Sequence, residues 1–350
     1  MMAGAALPER DRAIIVGGGL FAAFAAIGIG MPAGDNAGAV TFVYPPHARL
    51  LLLPFGAMAY GAAAAIWSAL NLFCVYRAAE LMSPRRDLAL LACISPAALM
   101  MLGSGYAGGF LALMATVVVI QGHTHPGRAG LCLALMTVQP QLALLFGLVL
   151  LLVGYGRAVS MAVPWTLALV AAATITCGMQ PWVDFLDAAG APPAAAISLY
   201  AGARMVGLPG WAAQALQWGF GFAALAGAAL VFSRRGPEPR SIALMLLAVV
   251  LALPDAGGDG LVLAAPALTL ALFAARPADD RPLLPFAAAL LLWIMPAIAV
   301  LFAASSWPVA PVLLAAILLA AMAREIAWRP GLAAPGAGAC PIEAERERAP

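Results

Sequence analysis

The sequence contains no lysine and few charges of any kind. Only 10% of its 350 residues are charged, against roughly 25% in an ordinary soluble domain. Paired cysteines are missing as well. Cys74, Cys93, Cys132, Cys177 and Cys340 show no CxxC spacing and four of them lie in apolar stretches, so neither a disulfide framework nor a zinc site is expected. No basic cluster is dense enough to hold nucleic acid. A Walker loop is absent, because Gly17-Gly18-Gly19 sits inside an apolar run, where small residues let helices pack closely. There is no Gly-x-Ser-x-Gly elbow and no His-Glu-x-x-His pair. His123 and His125 share a short turn without a third ligand nearby, so no metal and no cofactor are expected.

What fills the chain instead is apolar: 64% of residues are hydrophobic, in runs that recur along the whole length. A helix needs about 20 residues to cross a bilayer. In lipid the backbone must satisfy its own hydrogen bonds, which leaves helices or a closed barrel. A barrel strand alternates polar with apolar residues, and runs such as 144–153 do not alternate. The expected fold class is therefore all-α, a polytopic membrane protein. Candidate spans cover 13–31, 56–76, 88–102, 107–121, 129–138, 140–155, 158–178, 211–233, 241–254, 260–275, 283–304 and 308–323. The first has no convincing small-residue cleavage site after it and reads as a retained span. The exclusive use of arginine, with abundant alanine and glycine, points to a GC-rich bacterial genome and so to an inner membrane.

The segment 129–155 admits two readings, one helix broken at Pro140 or a hairpin with Gln139 and Gln141 at its tip. Arginines decide between them, because cytoplasmic loops carry the basic excess. With a hairpin and a cytoplasmic N-terminus, arginines 10, 12, 77, 85, 86, 128, 157, 234, 235, 240, 276, 281, 324, 329, 346 and 348 all fall inside, and only Arg49 and Arg204 fall outside. A single pass inverts every later loop and destroys the bias. The expected layout is a cytoplasmic N-terminus over 1–12, a multi-pass domain over 13–323, and a cytoplasmic tail over 324–350 whose Pro-, Gly- and Ala-rich part reads as disordered.

The outer face then holds two sizeable loops, about 32–54 and 179–210, and a turn at 254–260. Asp35 follows the first span directly. A carboxylate there suits a general base toward a sugar hydroxyl, while Gly34-Asp35-Asn36 is equally good turn chemistry. Arg49 and Arg204 break the charge bias. A guanidinium grips phosphate through two parallel hydrogen bonds, and it pairs as readily with an outer aspartate or a phospholipid headgroup. Further outer-face candidates are Tyr44, His47, Gln139, Gln141, Asp184 and Asp259.

Several segments in order resemble bacterial glycosyltransferase family 87, proteins of the GT-C fold that include polyprenyl-phosphate-mannose-dependent α-mannosyltransferases. The resemblance runs over roughly 40–305. It rests on Phe42-Val43-Tyr44-Pro45-Pro46, Pro54-Phe55-Gly56, Ala65-Ile66-Trp67, Gly103-Ser104-Gly105, Arg128-Ala129-Gly130, Pro140-Gln141, Trp182-Val183-Asp184-Phe185-Leu186, Ser198 to Gly207, and Leu253-Pro254 through Val262. The resemblance implies a GT-C-like bundle of about 10–12 transmembrane helices. It also implies a polyprenyl-phosphate sugar donor, a glycolipid or glycan acceptor, contact with membrane lipids, and inverting transfer on the extracytoplasmic face. In that scheme Asp35 is the base, and Arg204, with Arg49, contacts the donor phosphate.

The sequence also departs from the family pattern. The family's Gly-His-Gly-Gln-Asn reads Gly103-Ser104-Gly105-Tyr106-Ala107, the lysine of its Lys-Pro-Gln is Gln139, and its Asp-Tyr-Asp reads Gly258-Asp259-Gly260. Two alternatives to an active transferase follow. One is a catalytically degenerate member that binds a lipid-linked sugar or a partner protein. The other is a transporter or flippase, against which stands the scarcity of ionisable residues within the spans.

Overall fold

The computed structural model describes residues 44–52, 55, 58–104, 106–189, 198–254, 258–273, 290–291, 293–294 and 309–327. Asp35 and the stretches 1–43 and 328–350 lie outside the described residues. Among the described residues the chain is all-α, without a strand. Its helices are α1 (Pro46–Leu52), α2 (Tyr60–Met82), α3 (Arg86–Cys93), α4 (Pro96–Ser104), α5 (Gly108–Gln121), α6 (Pro126–Leu135), α7 (Pro140–Leu152), α8 (Gly156–Cys177), α9 (Gln180–Ala189), α10 (Leu199–Met205), α11 (Gly210–Arg235), α12 (Pro239–Ala252), α13 (Ala265–Phe273) and α14 (Val309–Ala327). Short 3-10 turns at Met136–Val138 and Gly258–Leu263 extend α6 and lead into α13.

Length and burial sort these helices. Among the described residues, three are long and apolar enough to cross a bilayer: α2 from Gly61, α8 and α11. At 1.5 Å per residue α5 and α12 reach only about 21 Å, short of a hydrocarbon core of about 30 Å. Those short helices are nevertheless the centre of the molecule, with α5 buried on nearly every side and α12 buried from Ser241 to Ala252. The long α8 is peripheral and turns Met161, Val163, Trp165, Leu167 and Ile175 outward. A helix apolar all round and left outward-facing needs a lipid solvent, so the chain is a polytopic membrane protein.

Close packing at the centre depends on small residues and one buried amide. A Cβ on Gly109 would lie 2.3 Å from the Asn71 carbonyl oxygen, so α5 crosses α2 backbone against side-chain-free backbone. Asn71 is buried, donates to the Trp67 carbonyl at 3.2 Å and accepts from the Phe110 N–H at 3.2 Å. That second bond satisfies one of the four N–H groups that α5 leaves without a helical partner. Gly130 plays the corresponding role against Met161 and Ala162, where α6 meets α8.

The region 126–155 doubles back on itself. Gly154, with φ +91°, ends α7, and the following Tyr155 N–H bonds to the Leu150 carbonyl at 2.8 Å, a left-handed helix stop that suits glycine. Tyr155 then packs on His123 and its hydroxyl donates to the Val119 carbonyl at 2.9 Å, next to the start of α6. The chain has therefore returned to the level from which α6 departed. Pro140 opens α7 at its first turn rather than breaking a continuous helix.

One predicted span, 88–102, is two helices here, α3 and α4. Pro96 disfavours helical geometry at Ser95 and lacks an N–H. Ser95 bridges the break, donating from Oγ to the Ala92 carbonyl at 2.7 Å and accepting from the Ala98 N–H at 3.4 Å. The predicted outer loops likewise contain helices: α1 in the first, α9 and α10 in the second.

The two ends of the bundle differ in chemistry. At one end Tyr155 meets Phe232, and Arg234 donates to the Ile326 carbonyl at 2.7 Å, which gathers the α5–α6 turn and the ends of α7, α11 and α14, and with them Arg128, Arg157, Arg234, Arg235 and Arg324. The opposite end holds α1, the 136–141 turn, α9 and α10.

Candidate functional site

At the arginine-poor end, Tyr44-Pro45-Pro46 leads into α1. Pro45 and Pro46 fix their φ angles and are buried, which anchors the start of this short helix. His47 follows and is 3% exposed. Its Nε2 lies 3.1 Å from the Thr137 hydroxyl, and its ring stacks beside Trp182 with centroids 6.0 Å apart and planes 28° apart. Trp182 is held in turn by its indole N–H, which donates to the Thr174 hydroxyl at 3.1 Å on α8. A single histidine thus joins α1, the hairpin tip and the start of the second outer loop.

The Thr137 hydroxyl has one proton, and the Ala134 carbonyl, 2.5 Å away, can only accept it. The threonine oxygen must then accept from His47, so the imidazole carries its proton on Nε2. Nδ1 is left as a bare acceptor, buried and without a hydrogen-bond partner. Burial holds the His47 pKa below its usual value, and a hydrogen bond to the Thr137 backbone offsets only part of that shift.

Beside this cluster, the Tyr106 hydroxyl donates to the Gln139 side-chain oxygen, linking the turn before α5 to the hairpin tip. These are two of the positions at which the sequence departs from the family pattern, and they touch each other. Gln141, two residues further on, is exposed. Asp184 on α9 accepts from Gln180 at 2.9 Å and is also exposed.

A second polar group organises the end of α12. Gln217 is fully buried and donates to the carbonyls of Leu251 and Ala252 at 2.9 and 3.0 Å, while its oxygen accepts the Tyr200 N–H at 3.0 Å. Ser198 caps α10 and donates to the Pro254 carbonyl at 2.6 Å. Arg204 sits in the last turn of α10 and is exposed. Gly207, with φ +84°, turns the chain so that one Arg204 nitrogen donates to the Leu208 carbonyl at 2.8 Å. Among the described residues no carboxylate pairs with it, so its remaining donors face outward.

Of the residues expected from sequence, the structure brings His47 and Gln139 to the hairpin tip, with Tyr44 three residues before His47 and Gln141 and Asp184 exposed on the neighbouring helices. No contact among the described residues joins Arg204 to that group. Arg49 belongs to α1, but its side chain lies outside the described residues, as do Asp35 and the side chain of Asp259. Thr137 is a site residue that sequence reasoning did not single out, and Trp182 entered it only within the resemblance motif Trp182-Val183-Asp184-Phe185-Leu186. Thr137 leaves a signal, being the one hydroxyl in the apolar run just before Gln139-Pro140. Gln217 and Asn71 also went unmarked, although an amide inside an apolar span needs a partner. The model of glycosyltransferase family 87 matches residues 42–254. No curated protein and no solved structure matches the chain.

Proposed function

Because the chain belongs to glycosyltransferase family 87 and is a membrane glycosyltransferase by that membership, we propose that it moves a hexose, mannose in the first instance, from a polyprenyl-phosphate donor to a glycolipid or glycan acceptor. The reaction takes place on the extracytoplasmic side of a bacterial inner membrane, with both chain termini in the cytoplasm. The observation that carries this reading is the match over 42–254, which includes α1, the 136–141 turn, α9 and α10. The opposite end collects the arginines that mark a cytoplasmic face.

Chemically, Asp35 takes the proton of the attacking acceptor hydroxyl as the new glycosidic bond forms at the anomeric carbon. The bond from that carbon to the phosphate oxygen breaks, and the polyprenyl phosphate leaves with the electron pair. Arg49 and Arg204 hold the charge that grows on the phosphate, where fixed cations stabilise the departing group most. Arg204 suits this role because it is exposed and no carboxylate among the described residues pairs with it. The lipid tail of the donor lies along the bilayer, which is why the phosphate contacts sit at the outer rim.

The test is transfer in membranes enriched in the chain, using radiolabelled polyprenyl-phosphate mannose and native acceptor lipids, beside Asp35→Asn. Loss of a general base lowers the rate by about 10²- to 10⁴-fold, with membrane expression unchanged. Full activity in Asp35→Asn removes the assignment of the base. A second reading, a binder without catalysis, is favoured by one observation: an uncharged Gln139 stands where the family has lysine, and its side-chain oxygen accepts a hydrogen bond from Tyr106. Donor retention without sugar release supports that alternative.

A further inference from the structure

We infer that His47 is a sugar-binding residue, its bare Nδ1 accepting a hydrogen bond from a hydroxyl of the donor sugar beside the Trp182 ring. The inference rests on the proposed donor and adds to it the contact that reads the sugar. It follows from three observations. The Thr137 proton is committed to the Ala134 carbonyl, which fixes the imidazole with its proton on Nε2. Nδ1 is buried without a partner, and an acceptor left so costs about 1–3 kcal/mol unless something fills it. An aromatic face lies alongside, at 6.0 Å between ring centroids.

The shared chemistry required is an O–H donor, and a sugar hydroxyl or a trapped water supplies it. A buried water needs two to four polar partners, and among the described residues Nδ1 is the one buried polar side-chain atom at this end left without a partner. A sugar suits the site better because its hydroxyl meets Nδ1 while its C–H face lies against an aromatic ring. With 3% of His47 exposed, entry moves the Trp182 ring aside. Trp182 lies in the first turn of the ten-residue α9. His47 would thus act in recognition, and the Thr137 hydroxyl as the positioning group that sets its tautomer.

The experiment uses the full chain in lipid nanodiscs with histidine labelled by ¹⁵N in the ring. The chain has three histidines, so the His123→Gln, His125→Gln double variant leaves the His47 signals alone in the spectrum. The expected result is one protonated and one bare ring nitrogen in the free protein. Polyprenyl-phosphate mannose moves the bare resonance toward its hydrogen-bonded position, whereas polyprenyl phosphate without sugar leaves it in place. His47→Gln keeps a donor for Thr137 but lacks the Nδ1 acceptor. It should lower transfer about tenfold at unchanged thermal stability.

A bare resonance that is hydrogen-bonded before donor is added and does not respond to it identifies a structural water and overturns the inference. Retention of labelled donor with no movement of the His47 signal overturns it too, and leaves the proposed transferase intact. No retention of donor by the wild-type chain removes the donor reading, and this inference falls with it.

Discussion

The two ends of this bundle are held by different chemistry. Ion pairs among the described residues are local: Arg77 with Glu80 three residues on, and Arg85 with Asp87 at 2.6 Å, more than half of each of the latter two side chains being exposed. The arginine-rich end adds backbone contacts from Tyr155 and Arg234. At the other end contacts that are neutral, buried or half-buried, and distant in sequence join His47 with Thr137, Tyr106 with Gln139, Ser198 with Pro254, and Gln217 with Leu251 and Ala252. Exposed ion pairs contribute little, because water already solvates both partners. Buried amides and hydroxyls have no such alternative, and each lost partner leaves a group unsatisfied. The comparison teaches that exposed charge does little to hold this fold, while neutral hydrogen bonds tie its distant segments together.

Mutations can break that contrast in order of expected size. Gln217→Leu removes three hydrogen bonds and leaves two carbonyls and the Tyr200 N–H without their partner, a loss of about 3 kcal/mol. It should appear as a clear drop in melting temperature in detergent, with the α10 segment becoming susceptible to protease. Tyr106→Phe removes one bond at the hairpin tip and should cost about 1 kcal/mol. If its effect equals that of Gln217→Leu, the tip is more tightly integrated than its partial burial indicates.

Acid provides a third and smaller test. The folded chain holds His47 neutral below its ordinary pKa of 6.5, so as pH falls the unfolded chain binds this proton first. The histidine's contribution is complete above about pH 6.5 and is lost as pH drops through that value. The melting temperature should therefore decline between pH 7 and 5, and His47→Gln should flatten that part of the curve. Smallest of all, Arg85→Ala and Asp87→Ala should leave the melting temperature within measurement error. A measurable loss in either would mean that exposed charge does hold part of this fold.

Much of the fold was legible in the sequence, because a lipid solvent demands long apolar helices and leaves a record in the loops. The placement of Arg128 and Arg157 pointed to a hairpin between them, and the contacts of Tyr155 with Val119 and His123 supply its geometry. What composition could not reveal is depth. Both α5 and α8 are apolar enough to pass for lipid-facing helices, yet one is central and the other faces outward, and glycine crossings such as Gly109 on Asn71 are what let α5 sit at the centre. The break at Ser95 was hidden for a related reason, since its hydroxyl is satisfied locally and leaves no polar cluster in the sequence. The site was legible only as a set of outer-face residues. Which of them meet depends on contacts across 90 positions, as between His47 and Thr137, and no local pattern encodes those.

The hairpin also has a consequence for how the protein is made. Neither α6, at ten residues, nor α7, at thirteen, is long enough to cross the hydrocarbon core alone. A translocon sorting segments one at a time would therefore find neither half acceptable to lipid, and the pair must leave it as a unit against helices synthesised before it. Gly130 makes its closest approach to α8, which emerges from the ribosome later, so the hairpin must wait for a wall not yet built. Chains halted between residues 155 and 178 should accumulate at the insertion machinery. The order of synthesis is thereby tied to the surface at the hairpin tip, which can be completed only after α8 has arrived and brought Trp182 to His47.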